Sequence, residues 1–395
     1  MTRSPKTQED PTRRLRTLRS LPPTAEALPR LMAALDDPSP EIVKAALARL
    51  PECAGPDEVA VLRRRLVTTD LAVTRDWATA LRLLGDDSAV DVALAGLHAP
   101  RNSDRMASAV ALGVFGSPRS ARELVAALDD PDSGVRRSVL EALSRLEPDE
   151  AAAKTCERCL RDRSPEVRVA AVNAIGKLAS DRDKWLGQVV DDDSPRVRQA
   201  LAVRSGRLSA ATATTLLNDS AEDVRVAATS ALIATPRPDL GTAVEERLAD
   251  ERWRVRRVAC HALGTSLGRA SAPCLTRMLC DQHPTVRLAA LNTLEQVCGD
   301  DLGRFLGAAM TGAPDRLRRA LVYALERCPD GAATPLLETA VSDADPTVRL
   351  AAVRQLGSRD AAGSARTLAP LRTDPDPAVR FAAEQALLRP RGVAS

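Results

Sequence analysis

Residues 281–290 read Asp281-Gln282-His283-Pro284-Thr285-Val286-Arg287-Leu288-Ala289-Ala290. The pattern returns as Asp162-Arg163-Ser164-Pro165-Glu166-Val167-Arg168-Val169-Ala170-Ala171 and as Asp374-Pro375-Asp376-Pro377-Ala378-Val379-Arg380-Phe381-Ala382-Ala383. Each copy carries an Asp, an Arg six residues on, and small apolar residues behind the Arg. Aligning every copy places the arginine position at 43, 74, 105, 136, 168, 198, 225, 256, 287, 318, 349 and 380. Successive copies are 31 residues apart, except for spacings of 32, 30 and 27 ending at 168, 198 and 225. Repetition at this period marks a stacked array, whose units cannot bury an apolar face alone and bury it against one another.

Within a unit the residues predict two helices joined by a turn. The second starts at a proline (Pro165, Pro195, Pro284, Pro346, Pro377), where the missing N–H is no loss in a first helical turn. Behind it, Val167, Ala171, Ala174 and Ile175, or Val286, Ala290 and Leu294, fall at helical spacing. The first helix is read similarly from Ala121 to Leu128 or Ala333 to Val341. Gly113, Gly176, Gly264 and Gly357 follow second-helix patterns and are read as left-handed caps. With 44% apolar residues but one Tyr, three Phe and three Trp, the core must be aliphatic and a large sheet is disfavoured. The expectation is an all-α chain of about twelve hairpins over residues 24–389. A basic tail and capping helix precede it over 1–23, with Leu15, Leu18 and Leu21 at helical spacing, and a short tail follows over 390–395. The copy near 198–212 is shortened, with Arg204 where Ala normally stands, which predicts a local change of curvature.

These residues resemble the HEAT repeat family, in particular the short bacterial, bilin-lyase-like type with Asp and Arg six residues apart. The resemblance spans about Thr24 to Arg389 and implies a right-handed α-α superhelix. It also implies that the Asp and Arg of consecutive units form a ladder of hydrogen-bonded ion pairs along the stack. Matching positions hold Asp37, Asp130, Asp162, Asp192, Asp219, Asp250, Asp281, Asp343 and Asp374, with Arg at ten of the twelve arginine sites, among them Arg168, Arg256, Arg287, Arg349 and Arg380. Thr68 and Thr74, Ala99, and Gly312 break the pattern, so the ladder should be interrupted near them. A guanidinium can bridge carboxylates of two neighbouring units, and losing one member of a partly buried pair strands the other. On that reading Arg287→Ala should destabilise by about 2–4 kcal/mol.

Charge narrows the function classes. The chain carries +3, and residues 1–30 hold seven basic groups against three acidic ones, so the remainder is near neutral. That balance argues against a phosphate-tracking surface. No apolar run approaches the roughly 20 residues of a membrane span, and the start lacks a signal-peptide pattern, so the expected place is the cytoplasm. Eight cysteines without a disulfide framework read as reduced, small apolar residues. Cys156-Glu157-Arg158-Cys159 has no second CxxC at zinc-site spacing. The group Cys260, His261, Cys274, Cys280 and His283 is the best metal candidate, yet several of its positions align with helix interiors. Three histidines and no phosphate-binding glycine loop leave no convincing catalytic constellation. No cofactor, metal or enzymatic activity is expected.

Positions one, five and eight after the ladder arginine share one face of the second helix, which lines the concave surface in the family. They include Arg257 and His261, Leu288 and Asn292, Arg319 and Tyr323, Leu350 and Arg354, and Phe381. Aliphatic and aromatic residues flanked by arginines fit a protein-binding face. Trp253 stands where six units carry Pro, between Arg252 and Arg254, and is a further candidate contact. Packing against the neighbouring helix is the competing explanation for each apolar residue, and Trp77 is assigned to the core outright. The expected function is a non-catalytic, monomeric scaffold that binds another protein or a peptide. The alternatives are DNA binding of the alkylated-base glycosylase type, and an accessory role like that of bilin lyase subunits.

Overall fold

The computed structural model describes residues 10–22, 24–67, 70–147, 149–180, 182–359 and 364–388, and its regular elements there are all helical. The tails expected at 1–9 and beyond 388, and Thr68, lie outside the described residues. The chain divides into two compact units, Met1–Leu201 and Ala202–Ser395. In the first, a lone helix Pro11–Arg19 precedes hairpins whose second helices begin at Pro40, Leu71, Asn102, Ser133, Pro165 and Pro195. In the second unit the second helices are Glu222–Ala234, Trp253–Leu267, Pro284–Cys298, Asp315–Ala324, Pro346–Arg359 and Pro377–Leu388. The chain is thus an all-α helical solenoid, in which second helices of successive repeats pack on one another along most of each unit, as Glu222–Ala234, Trp253–Leu267 and Pro284–Cys298 do.

Small residues make that packing close. Val255, Ala259, Cys260, Ala262 and Leu263 of one second helix are all buried, as are Val286, Ala290 and Leu294 of the next. The glycines expected as caps lie inside helices instead, and three of them are contact points. Gly113, Gly176, Gly264 and Gly357 lie inside helices Asn102–Phe115, Pro165–Leu178, Trp253–Leu267 and Pro346–Arg359. A Cβ on Gly113 would lie 2.8 Å from Ala142 Cα, one on Gly264 2.2 Å from Thr293 Cγ2, and one on Gly357 2.5 Å from Ala386 Cβ. Each contact falls 29 positions downstream, on the following second helix. The left-handed caps are Gly116 and others that follow the helix ends, with φ of 67° at Gly116.

The ladder is present and joins consecutive repeats as the resemblance implies, but each of its arginines takes one ladder aspartate rather than bridging those of two units. The arginine's ion partner is not the ladder aspartate of its own repeat. Instead the arginine forks onto the aspartate of the following repeat, and Arg318 reaches a second aspartate besides, donating from Nη2 to Asp315 Oδ1 at 2.7 Å. Arg256 Nε and Nη2 donate to Asp281 at 2.7 and 2.9 Å, and Arg225 does the same to Asp250 at 2.7 and 3.0 Å. Arg105–Asp130, Arg136–Asp162, Arg168–Asp192, Arg318–Asp343 and Arg349–Asp374 repeat this geometry. The third nitrogen, Nη1, holds the arginine's own turn: that of Arg256 donates to Asp250 O and Glu251 O at 2.8 and 3.1 Å. Each aspartate also accepts from the backbone two residues on, as Asp281 does from His283 N at 2.8 Å.

The first two gaps follow a rule. Val43 and Thr68, then Thr74 and Ala99, remove arginine and downstream aspartate together, so no charge is stranded. Thr74 is buried, and its hydroxyl donates to Asp70 O at 3.1 Å. At the N-terminal end the capping helix supplies a rung of its own: Arg14 meets Asp37, with Nε 3.1 Å from Oδ2. Leu18 is buried beneath it, and Arg49 holds the helix end through Arg19 O and Leu21 O. The shortened sixth copy ends its second helix at Ala202, followed by a tight turn over Ser205–Arg207. There Gly206 is buried so close to Thr235 that a Cβ would lie 2.5 Å from the Thr235 Cβ.

Two arginines assigned to the ladder carry no rung. Arg380 belongs to the last repeat, and its recorded bonds are from Nη1 to Asp374 O and Pro375 O. Arg287 faces Gly312 where the next aspartate should be. It is exposed and donates only from Nη1, to Asp281 O at 2.9 Å and Gln282 O at 3.3 Å. The large destabilisation expected for Arg287→Ala therefore does not apply, because no partner charge is stranded.

The rungs make stability depend on acid. Burial pushes the Asp250 carboxyl up, but the Arg225 hydrogen bonds, the Arg252 N–H and the arginine charge outweigh it, and the group titrates below the ordinary Asp value. Asp162, Asp192 and Asp281 are lowered by the same balance, and Asp343 and Asp374 chiefly by Arg318 and Arg349. A lowered folded pKa contributes stability that is fully present above the unfolded value of about 3.9 and is lost as pH falls through the folded value. The melting temperature should hold steady between about pH 7 and 5 and drop progressively below about pH 4. A melting temperature unchanged in the acid range would remove these carboxylates from the account.

Candidate functional site

Three successive second helices of the C-terminal unit, Pro284–Cys298, Asp315–Ala324 and Pro346–Arg359, line an open groove of about 740 Å3. Its apolar lining comes from Leu288, Leu291, Tyr323 and Leu350. Leu288 is 50% exposed and Tyr323 48% exposed, so both present apolar surface to solvent in a helix face whose other side is packed. Tyr323 is held from below: Gln355, buried on the next second helix, donates from Nε2 to Val322 O at 2.8 Å and to Tyr323 O at 3.3 Å.

Arginines surround this floor. Arg316 Nη2 donates to Cys280 O at 2.7 Å, and Arg319 Nη1 lies 3.5 Å from Thr347 Oγ1. Arg287 completes the set. Of the two carboxylates on the lining, Asp281 is taken up by Arg256, which leaves Glu326 against three guanidinium groups. The groove combines an apolar floor with an excess of fixed positive charge. Arginine suits such a role because its planar fork binds carboxylates bidentately and needs no deprotonation.

The structure gathers four of the sequence-derived candidates, Leu288, Arg319, Tyr323 and Leu350, into this one groove. Arg287 and Arg316 join them, the first having been read as structural and the second not singled out. The clue to Arg287 was in the sequence as Gly312, a gap unaccompanied by loss of its arginine. Asn292 and Arg354 are exposed on the same helices, outside the groove lining, and Phe381 stands 64% exposed on the last second helix.

The cluster around Trp253 has a different character. Trp253 is 37% exposed and stacks on His283, with ring centroids 4.1 Å apart and planes within 1°. Arg254 pairs with Asp223 at 3.1 Å, and Arg252 with Glu251 at 3.2 Å and Glu222 at 3.8 Å. These acids offset the basic character that the sequence suggested. Arg257 is exposed, and His261 is half-buried with Nδ1 3.2 Å from Thr293 Oγ1. Burial, together with Arg257, holds that imidazole below its ordinary pKa.

Among the described residues no three His, Cys, Asp or Glu side chains converge as metal ligands. Burial pushes the Cys156 and Cys260 thiols up to about 12 and Cys159 up to about 11, so they remain protonated apolar residues near neutrality. Trp77 is buried, 2% exposed. No described helix is long and apolar enough to cross a membrane.

A family model described as HEAT repeats matches residues 90–155, 121–205, 210–295, 241–326 and 303–388, well over half of the chain. No curated protein matches the sequence. Among solved structures, the chain is similar to an engineered protein from a structural genomics consortium (20% identity, 91% of this chain and 97% of that one, TM-score 0.31). It is similar also to a homology model of the full-length AP-3 complex in an intermediate open conformation (11% identity, 96% and 86%, TM-score 0.46). A third is a Kap121p mutant (14% identity, 91% and 44%, TM-score 0.37).

Proposed function

Because this chain belongs to the HEAT repeat family, we propose that it is a non-catalytic scaffold that holds a partner protein on its second-helix surface. The observation that carries this reading is the groove, where Leu288 and Tyr323 are presented to solvent beside the half-buried Leu350 and among arginines. Apolar residues at the centre and charged residues at the rim are the anatomy of a protein interface. Neutralisation of Arg252 and Arg254 by Glu222, Asp223 and Glu251 weighs against nucleic acid at Trp253. The Trp253 and His283 pair, with Asn292, Arg354 and Phe381, would then contribute outlying contacts to the same partner.

The test is affinity capture from native lysate with nuclease present, using the full chain and its Leu288→Asp variant. A protein retained in stoichiometric amount by the wild type should fall at least about tenfold with the variant, since a charge placed in an interface centre removes a contact of hot-spot size. Leu288 is half-exposed, so the substitution leaves the core intact. Recovery of nucleic acid, with proteins lost on nuclease treatment, would overturn the reading.

A further inference from the structure

The exposed guanidinium of Arg287 is a rung of the ladder with its acceptor missing. In seven other repeats Nε and Nη2 of the ladder arginine close on an aspartate 24–26 positions downstream. Those seven arginines have side chains only 6–19% exposed. Around Arg287 half of this geometry persists, for Nη1 is still fixed by Asp281 O and Gln282 O. The other half is open, because Gly312 supplies no side chain and its backbone turns through φ 72°, a conformation that disfavours any residue with a Cβ. Among the described residues neither Nε nor Nη2 of Arg287 has a recorded hydrogen bond or carboxylate partner.

That open edge lies on the groove, beside Leu288 and within the same lining as Tyr323, Leu350, Arg316 and Arg319. We propose that Arg287 is a preformed receptor for a carboxylate on the partner, so that the groove takes an extended acidic peptide with a large apolar side chain near its Asp or Glu. The inference rests on the scaffold reading and adds the chemistry of the partner. The guanidinium offers the incoming carboxylate the two parallel bonds that aspartate receives in the other repeats, and its orientation is already held by two carbonyls. The neighbouring apolar side chain would cover Leu288, Tyr323 and Leu350, while Arg316 and Arg319 reject basic sequences. A phosphate backbone fits less well, since the floor is apolar and Glu326 stands on the rim.

The experiment is selection from a displayed library of random short peptides on the immobilised full-length chain. The enriched peptides are then titrated, as labelled probes, against wild type, Arg287→Gln, Arg287→Lys and Leu288→Asp, with labelled oligothymidylate as a separate probe. The expected result is enrichment of Asp or Glu within a few positions of Leu, Met, Phe or Trp. Affinity should fall about tenfold or more in Arg287→Gln, with a smaller loss in Arg287→Lys, which keeps the charge but not the fork. Arg287→Gln should melt with the wild type, which separates binding from folding. Peptides without acidic residues, affinity indifferent to Arg287→Gln, no enrichment, or tighter binding of oligothymidylate would each overturn the proposal. Peptides lost with Leu288→Asp but retained with Arg287→Gln overturn only the carboxylate receptor and leave the scaffold reading standing.

Discussion

Arg256→Ala is expected to lower the stability of the C-terminal unit by about 2–4 kcal/mol, whereas Arg287→Ala should stay within about 0.5 kcal/mol of wild type. The two arginines occupy the same position in adjacent repeats and differ only in what faces them. Removing Arg256 strands Asp281, whose side chain is 7% exposed, and frees Asp250 O and Glu251 O of their donor. Removing Arg287 likewise frees two carbonyls, Asp281 O and Gln282 O, on an exposed turn, but strands no carboxylate. Urea titrations followed by circular dichroism provide the comparison. Midpoints should be compared at equal slope, because a repeat array need not unfold in two states. Equal shifts in the two variants would mean that the carboxylate partner carries no weight.

The second large effect runs against helix propensity. Alanine for glycine inside a helix ordinarily gains about 1 kcal/mol, yet Gly113→Ala should lose about 1–3 kcal/mol. The added methyl would meet Ala142 Cα and Cβ at 2.8 Å, and a backbone atom cannot swing aside as a side-chain end can. Two second helices would have to separate along their length, and the buried Leu112, Val139 and Leu143 would loosen with them. Gly331→Ala is the matched control, a helical glycine with no atom within 4 Å of the added carbon. A melting temperature raised in both variants would show that the helices are not in contact at Gly113.

The repeat itself was legible because its period is carried by residues whose roles are local. Pro at a first turn and apolar residues at helical spacing reveal hairpins from the sequence alone. Direction was not legible. That consecutive units pair followed from the resemblance, but a periodic string looks the same whether an Arg takes the Asp of the unit before it or of the unit after it, and only the stacking decides. Arg14 gave no signal, since the capping helix has no hairpin turn and so no aspartate six positions before it. The internal glycines were misread because a helix-weakening residue near the end of a pattern looks like a cap, while the contact that selects it lies 29 residues away. Of the groove, the apolar stripe was visible as variable positions on one helix face. Its charge was not, because it depends on which arginines already have acids, as Arg256 does and Arg287 does not.

The constant direction of the rungs also bears on how such a chain can change length over generations. Excising residues 226–256, one whole period, would set Arg225 at the same distance from Asp281 that Arg256 now has, so unequal crossing-over there yields a shorter gene whose product keeps its pairing. The same event over residues 288–318 would deliver Arg287 to Asp343 and silence its open fork. Recombination between repeats is therefore conservative at one junction and consequential at the next, which gives selection a means of editing recognition in whole-repeat steps.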